Sequence, residues 1–196
     1  MAEPVGQRPR KRRFDAERSR TAVLAAAIEV LGRQPDASIE DVASAAGVVR
    51  QTVYAHFSSR AALLDAVIDY LTTETVTALQ GLDLRTPPPD EALRRWLEAS
   101  WGVVERYPAL LSPAIATAAT PGDDHDRHQS VTAELAALVR RGHQSGAFDP
   151  RLPETWIVAA VIALGHSAGQ QVIAGRMSPH DAGAAYRDSV LRLVRA

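Results

Sequence analysis

Residues 38–57, SIEDVASAAGVVRQTVYAHF, decide the fold of this chain. Ser38 and Asp41 have the spacing of a capping box, with Asp in place of Glu, and the apolar residues that follow at helical spacing predict a short helix. Gly47 ends that helix. Residues 49–57 contain no turn residue and place apolar side chains one helical turn apart, which predicts a second short helix. Two short helices joined by a tight turn form a helix-turn-helix.

Helical periodicity continues on both sides of this motif. A helix is predicted from Asp15 to Gly32, and Ser59 caps a longer one that follows the motif. Later segments are also helical in pattern, and the last two helices are predicted over residues 153–176 and 178–194. No convincing strand pattern or repeat is present. The predicted fold class is therefore all-α, with about nine helices, divided into a basic flexible arm at 1–14, a three-helix helix-turn-helix domain at 15–60 and a C-terminal helical bundle at 61–196.

Composition and charge exclude several classes of protein. With 46% apolar and 23% charged residues among 196, the chain can bury a core and is not intrinsically disordered. It contains no cysteine, which excludes disulfides, thiolate nucleophiles and zinc ribbons. Residues 1–60 hold ten Lys/Arg against seven Asp/Glu, whereas residues 61–196 hold twelve against sixteen. Contact with phosphate is therefore expected at the N-terminal end only.

The start of the chain does not have the pattern of an export signal, because Asp15, Glu17 and Glu29 flank the apolar stretch that follows the basic residues. The longest apolar run, residues 156–165, has about half the length that a bilayer span needs. We therefore expect a soluble, cytoplasmic protein.

The second short helix has the chemistry of a surface that reads DNA. Its exposed residues are expected to be Arg50, Gln51, Thr52, Tyr54 and His56, none of which is acidic. Arg50 can donate to guanine O6 and N7, and Gln51 can pair with adenine N6 and N7. The other three carry donors that suit phosphate oxygens, although Tyr54 and His56 can equally pack against a neighbouring helix.

Further phosphate contacts are expected around this helix. Ser38 and Arg60 lie at helix N-termini, where free N–H groups favour phosphate, although Ser38 can serve as a cap alone. The basic residues before the motif are the other candidates, unless the arm is only a solubilising tail: Arg10, Lys11, Arg12, Arg13 and Arg20.

Residues 24–64 resemble the DNA-binding domain of the TetR (tetracycline repressor) family of bacterial regulators. The resemblance rests on SIEDVA at 38–43, AGV at 46–48, TVY and HF within 52–57, and SR followed by ALL within 59–64. Three positions depart from the family pattern: Arg60 replaces a usual lysine, Ala61 an acidic residue, and Val49 a small polar residue. The methyl groups of Val49 can instead meet a thymine methyl.

The resemblance implies a homodimer whose C-terminal domain binds a small molecule and pairs through its last two helices. Two recognition helices must reach half-sites about one DNA turn apart, which also favours a dimer. The interface candidates are small or apolar residues for which burial within one subunit is an equally good explanation: Ala160, Gly165, Ala168, Gly169, Val172, Tyr186, Val190 and Leu193.

Candidates for a ligand pocket are large aromatic or polar residues in the C-terminal helices: Trp96, Trp101, Tyr107, His143, Trp156, His166 and Gln170. Such a lining would suit an apolar or aromatic effector, although the tryptophans and His166 can equally belong to an ordinary core. Residues 123–128, DDHDRH, form an acidic and histidine-containing segment that can hold a divalent ion, but a solvated loop is the simpler interpretation.

No catalytic motif accompanies these features, since the chain lacks a glycine-rich phosphate loop, a His-Glu-x-x-His sequence and a Gly-x-Ser-x-Gly elbow. We expect no cofactor, no metal and no enzyme activity. The expected function is a ligand-responsive repressor that a small molecule releases from a palindromic operator. The alternatives are a ligand-dependent activator or co-repressed regulator with the same fold, and a helical ligand-binding protein or enzyme with a non-specific basic tail.

Overall fold

A computed structural model describes the backbone of residues 8–118 and 121–195, and the side chains of residues 14–115 and 132–195. Within these residues the regular secondary structure is helical, apart from one isolated bridge between Phe148 and Arg195, which confirms the all-α prediction. The helices are α1 (Arg8–Arg33), α2 (Ile39–Ala45), α3 (Arg50–His56), α4 (Arg60–Gln80), α5 (Pro89–Arg106), α6 (Pro113–Ala118), α7 (Pro121–Ser145), α8 (Glu154–Ile173) and α9 (Pro179–Leu193), with a 3-10 turn at Pro108–Leu111 between α5 and α6.

The N-terminal core is built by α1, α2, α3 and the first half of α4. Val23, Ala27, Val53 and Val67 are among its fully buried side chains. Beyond α4, Ala109 and Ile115 also pack into this core. The helix-turn-helix is therefore anchored on α4 and on the corner between α5 and α6.

The C-terminal core is built by α5, α7, α8, α9 and the end of α4. Leu93, Leu135, Ile157 and Val190 are fully buried there. Helix α4 belongs to both cores, because its side chains up to Leu71 pack into the first core and Leu79 packs into the second. The boundary between the cores thus falls inside α4, later than the expected boundary at residue 60.

Three segments differ from the sequence predictions. Helix α1 begins at Arg8, so the second half of the expected flexible arm is helical, since Pro9 is tolerated in a first turn and Arg and Lys are good helix formers. Residues 123–128, for which a solvated loop was the simpler interpretation, lie in α7, which begins at Pro121, a residue favoured at the first helical position. Helix α8 ends at Ile173 because Gly175 adopts φ +65° and closes it.

Helix α8 combines an apolar composition with little burial. It is 20 residues long, and an 18-residue window within it has a mean hydropathy of 1.4, so by length and composition alone it could cross a membrane. The apolar run at residues 156–165 lies within this helix. Only 22% of the window is buried in this single subunit, so much of the helix surface is exposed.

Candidate functional site

The turn between α2 and α3 is fixed by hydrogen bonds that the sequence provides. The backbone N–H of Asp41 donates to Ser38 Oγ at 3.2 Å, and the backbone N–H of Ser38 donates to Asp41 Oδ2 at 2.8 Å, which completes the capping box. The Ser38 N–H and hydroxyl both donate to the Asp41 carboxylate, and these two hydrogen bonds lower the pKa of Asp41. At the other end of α2, Gly47 adopts φ +66°, and the N–H groups of Gly47 and Val48 donate to the carbonyls of Ser44 and Ala43.

Helix α3 has one buried and one exposed face. Val53 and Phe57 are buried and fasten the helix to the N-terminal core. Arg50, Gln51 and Tyr54 lie on the exposed face. Val49, just before the helix, is 67% exposed. The structure therefore brings the predicted base-reading residues together on one free surface.

The side chain of Arg50 is held in place by two neighbours. Its Nη1 forms an ion pair with Glu40 of α2, and its Nη2 donates to the hydroxyl of Tyr54 at 3.3 Å. The guanidinium also lies 5.3 Å from the centre of the Tyr54 ring, within the range of a cation–π contact. Tyr54 and Glu40 both raise the pKa of Arg50. Sequence reasoning missed Glu40, because a carboxylate ten residues before Arg50 becomes its neighbour only when α2 and α3 fold against each other.

Several other predicted phosphate contacts have partners within the chain. A ring nitrogen of His56 lies 3.1 Å from Ser19 Oγ, and the Arg60 guanidinium donates to the carbonyls of Pro35 and Ala37. Ser38 has its hydroxyl in the capping box. These residues fasten the helix-turn-helix internally, so for Ser38 and His56 the structural alternatives account for the contacts observed.

The remaining predicted DNA contacts differ in what is described. Thr52 is half-buried, whereas Arg20 is exposed and lies 5.1 Å from the centre of the Phe57 ring. The side chains of Arg10, Lys11, Arg12 and Arg13 lie outside the described residues, although their backbone is part of α1.

The predicted ligand residues do not form one internal lining. Trp96 and Trp101 are buried in the C-terminal core, and Trp101 Nε1 donates to the carbonyl of Pro179 at 3.0 Å. Tyr107 donates its hydroxyl to Glu74 at 2.8 Å, and hydrogen bonds to Tyr70 and Glu74 raise its pKa. Three other residues of the predicted set lie exposed on α8: Trp156, which is 59% exposed, His166 and Gln170.

Three buried polar side-chain atoms of the described residues lack a hydrogen-bond partner. One is Ser112 Oγ, just before α6. The other two are Trp96 Nε1 on α5 and His143 Nε2 on α7, and these two helices pack against each other. Unpaired buried polar groups are rare in proteins and call for an explanation such as a bound water or ligand. Of the predicted ligand residues, Trp96 and His143 are therefore the two with a buried polar atom still able to form a hydrogen bond with a ligand.

Two surface grooves of the described residues lie elsewhere. A groove of about 750 Å³ separates the helix-turn-helix from α6, and it is lined by Pro35, Asp36, Arg60, Ala61, Leu64, Asp65, Pro113 and Ala114. A smaller one of about 190 Å³ lies between α5 and α9. Among the described residues, no cluster of His, Asp and Glu could hold a metal ion, and the side chains of 123–128 fall outside them.

Half of the predicted dimer residues are buried inside the subunit. These are Ala168, Gly169, Tyr186 and Val190, which fits the alternative of burial within one subunit. Gly169 accommodates Leu111, because a Cβ there would lie 2.6 Å from Leu111 Cδ2. Of the other candidates, Ala160, Gly165, Val172 and Leu193 are half-buried.

Six of the eight exposed residues of α8 form a different stripe. They follow one another at intervals of three and four residues along the helix: Trp156, Ala159, Ala163, His166, Gln170 and Ile173. This spacing is that of one continuous helix face, of the kind that packs against another helix. The spacing of three and four residues is visible in the sequence, but it does not show which face of α8 points inward, because that depends on the neighbouring helices.

Comparison with known proteins identifies the N-terminal domain. Residues 23–67 match the family model described as bacterial regulatory proteins, tetR family. The repressor LfrR of Mycolicibacterium smegmatis is 40% identical over 83 residues, which span 42% of this chain and 44% of LfrR. The regulator NfxB of Pseudomonas aeruginosa is 29% identical over 126 residues, which span 64% of this chain and 67% of NfxB.

Solved structures extend the likeness to the whole fold. The crystal structure of LfrR from Mycobacterium smegmatis in complex with proflavine has a TM-score of 0.65 and 25% identity, and the match covers 91% of this chain and 98% of LfrR. A regulator from Rhodococcus sp. has a TM-score of 0.73 at 19% identity, with 91% and 100% coverage, which is a likeness of fold. The helix-turn-helix segment 23–67 therefore belongs to the tetR family of bacterial regulatory proteins, and the fold of the whole chain is similar to that of the TetR-like regulator LfrR.

Proposed function

We propose that this protein is a transcriptional repressor that binds a palindromic operator as a homodimer and leaves it when a small molecule binds. The observation that carries the proposal is the exposed, acid-free face of α3, held on a capped turn and a buried anchor. An α-helix fits the major groove of B-DNA, and a rigid mount keeps its side chains at a fixed depth. Its relatives are named as regulators, in keeping with a chain that is not an enzyme.

Within this surface the residues divide by chemistry. Arg50 and Gln51 reach base edges, because their planar groups can pair bidentately with guanine and adenine. Tyr54, Arg20 and the basic residues at the start of α1 contact phosphates, which position the protein without reading sequence. Arg60, Ser38 and His56 instead stabilise the position of α3 through the contacts within the chain described above.

The binding experiment selects genomic fragments with purified protein and measures affinity for the recovered site against random DNA at several salt concentrations. Arg50→Ala or Gln51→Ala is expected to relax the preference for the selected site. Arg33→Ala is the matched control, since Arg33 is an exposed arginine on α1 that pairs with Glu29. If both α3 variants keep wild-type preference, their assigned roles are wrong.

Deleting residues 1–13 separates this proposal from a non-specific basic tail. The deletion is expected to lower affinity and to make binding less salt-dependent, because fewer phosphates are neutralised, while the base preference survives. If the deletion variant loses all DNA binding and the intact chain shows no sequence preference, the result would instead support a non-specific basic tail.

The dimer is proposed to form through the exposed stripe on α8. Four of the six residues of this exposed stripe are apolar, which favours association. Two copies of α3 must also be held about 34 to 36 Å apart to meet successive major grooves. Ala163→Glu places a charge at the middle of the stripe and is expected to yield monomers in analytical ultracentrifugation. Ala137→Glu, on the exposed face of α7, is the matched control. A dimer that survives Ala163→Glu would exclude this interface.

The effector is proposed to bind between α5 and α7, where Trp96 Nε1 and His143 Nε2 are buried and unpaired. An apolar or aromatic molecule with a hydrogen-bond acceptor would satisfy Trp96 and bury its own surface. LfrR was crystallised with proflavine, so aromatic dyes of that class are the first compounds to test. Quenching of tryptophan fluorescence reports binding, and Trp96→Phe is expected to weaken it.

Release from DNA requires that the effector bind one conformation better than the other. A hundredfold loss of operator affinity corresponds to about 2.7 kcal/mol of coupling free energy. A cytoplasmic location is part of this proposal, since the operator lies on bacterial DNA. Reporter output with and without the effector distinguishes a repressor from an activator or a co-repressed regulator, which would use the same α3 surface.

A further inference from the structure

The ion pair between Glu40 and Arg50 joins α2 and α3, the two helices of the helix-turn-helix. Glu40 lies on α2 and Arg50 begins α3, and both side chains are more than half exposed. On the other side of the same guanidinium, Tyr54 accepts a hydrogen bond and presents its ring. Arg50 is therefore held between two partners before any DNA is present.

This arrangement leaves the guanidinium able to read a base. An arginine has five N–H donors in a planar fork, and each of the two partners uses one of them. The remaining donors stay free for an acceptor such as guanine. An arginine with fewer conformations to lose on binding gives up less entropy for each hydrogen bond that it forms.

The carboxylate has a second effect through its charge. An unpaired arginine at a DNA-binding surface is attracted to any phosphate, which strengthens binding without sequence preference. Glu40 competes with phosphate for Arg50 and itself repels phosphate. The same residue therefore favours the oriented, base-reading position of Arg50 and opposes contact with random DNA.

We propose that Glu40 is a specificity-determining positioning residue that holds Arg50 for base reading and limits non-specific binding to phosphate. This inference rests on the proposed function, since it assigns Glu40 a role only if Arg50 reads DNA. An exposed ion pair contributes little to folding stability, so stability alone does not account for the placement of this pair across the two helices.

The test uses Glu40→Gln in the full chain, with Glu29→Gln as the matched control. Glu29 is also an exposed carboxylate in the N-terminal domain and pairs with Arg33 at 2.9 Å on α1. Both variants remove one negative charge and one ion pair, but only Glu40→Gln releases Arg50. Affinities are measured for the selected operator, for the operator with the base pair contacted by Arg50 replaced, and for random DNA.

Glu40→Gln is expected to bind random DNA more tightly and to lower the ratio of operator to random affinity about tenfold, within the range that one bidentate base contact supplies. Glu29→Gln is expected to keep the ratio. In an Arg50→Ala background, Glu40→Gln should no longer change the base preference, because its effect passes through Arg50. Circular dichroism and melting temperature, unchanged from wild type, show that the variant is folded.

Two results would overturn the inference. An unchanged ratio in Glu40→Gln excludes the positioning role, and an equal change of base preference with and without Arg50 excludes Arg50 as the residue through which Glu40 acts. A wild-type chain without any sequence preference would instead overturn the proposed function, so the two failures are distinguishable.

Discussion

The same substitution, glycine to alanine, should change stability in opposite directions at two helical positions of the C-terminal domain. At Gly142 of α7 a Cβ would lie 2.0 Å from Cδ2 of Phe148, whereas at Gly102 of α5 nothing lies within 4 Å. Phe148 has no exposed surface, and its backbone N–H donates to the carbonyl of Gly142 at 3.1 Å. The ring would have to retreat by about 1.4 Å to restore an ordinary contact, and neither its surroundings nor its backbone allows this freely.

The magnitudes follow from packing and from helix propensity. Overpacking a close-packed core costs about 1 to 3 kcal/mol, and the immobile Phe148 ring places Gly142→Ala at about 2 kcal/mol of destabilisation. Gly102 is exposed in the interior of α5, so Gly102→Ala should stabilise by about 0.5 to 1 kcal/mol because alanine loses less backbone entropy. In thermal unfolding these values correspond to a decrease of about 4 to 8 °C and an increase of about 1 to 4 °C.

The assay is urea unfolding followed by far-ultraviolet circular dichroism, with melting temperatures as a second measure. Phe148→Leu alone should destabilise by leaving a cavity, but combined with Gly142→Ala its cost should be less than additive, because the smaller side chain relieves the clash. A neutral or stabilising Gly142→Ala would refute the packing of Phe148 on α7. Equal effects at both glycines would refute the argument that local space decides the sign.

Further predictions concern single side chains. Ser38→Ala should cost about 1 kcal/mol in urea unfolding through loss of the α2 cap; an unchanged midpoint would show that the cap is dispensable. Arg151 lowers the pKa of Asp149 from 3.8 to about 2, so the stability from this carboxylate is present above about pH 4 and lost as pH falls towards 2. Asp149→Asn should remove that part of the acid dependence, and acid unfolding curves that coincide with wild type would contradict it. Arg141 donates to three backbone carbonyls of the loop between α4 and α5, so Arg141→Lys should destabilise by about 1 to 2 kcal/mol, whereas Arg140→Lys at an exposed ion pair should cost less; equal melting temperatures for the two variants would contradict this.

The helix-turn-helix could be predicted from the sequence because its determinants are local. The capping box at Ser38, the left-handed Gly47 and the apolar anchors Val53 and Phe57 act within a few residues of one another. Such short-range features leave few alternative conformations to the backbone. The residues placed on the exposed face of α3, Arg50 above all, follow from the same periodicity.

The contacts made by those residues could not be predicted in the same way. His56 meets Ser19, Arg60 meets the carbonyls before α2, and Arg50 meets Glu40, in each case across helices. Long side chains choose partners by distance in space, and a pattern along one helix contains no information about the next helix. The contact between Glu40 and Arg50, which the sequence did not predict, is the clearest example.

For this chain the sequence by itself determined that the protein is helical, where the reading helix begins and ends, and which family it resembles. Only the tertiary structure decided which faces of α8 and α9 pack into the subunit's own core. Tyr186 and Val190 are buried there, whereas Trp156 is exposed. Amphipathic spacing marks a face as apolar, but the same hydrophobic free energy drives burial within a subunit and between subunits. The packing of the neighbouring helices alone selects between them.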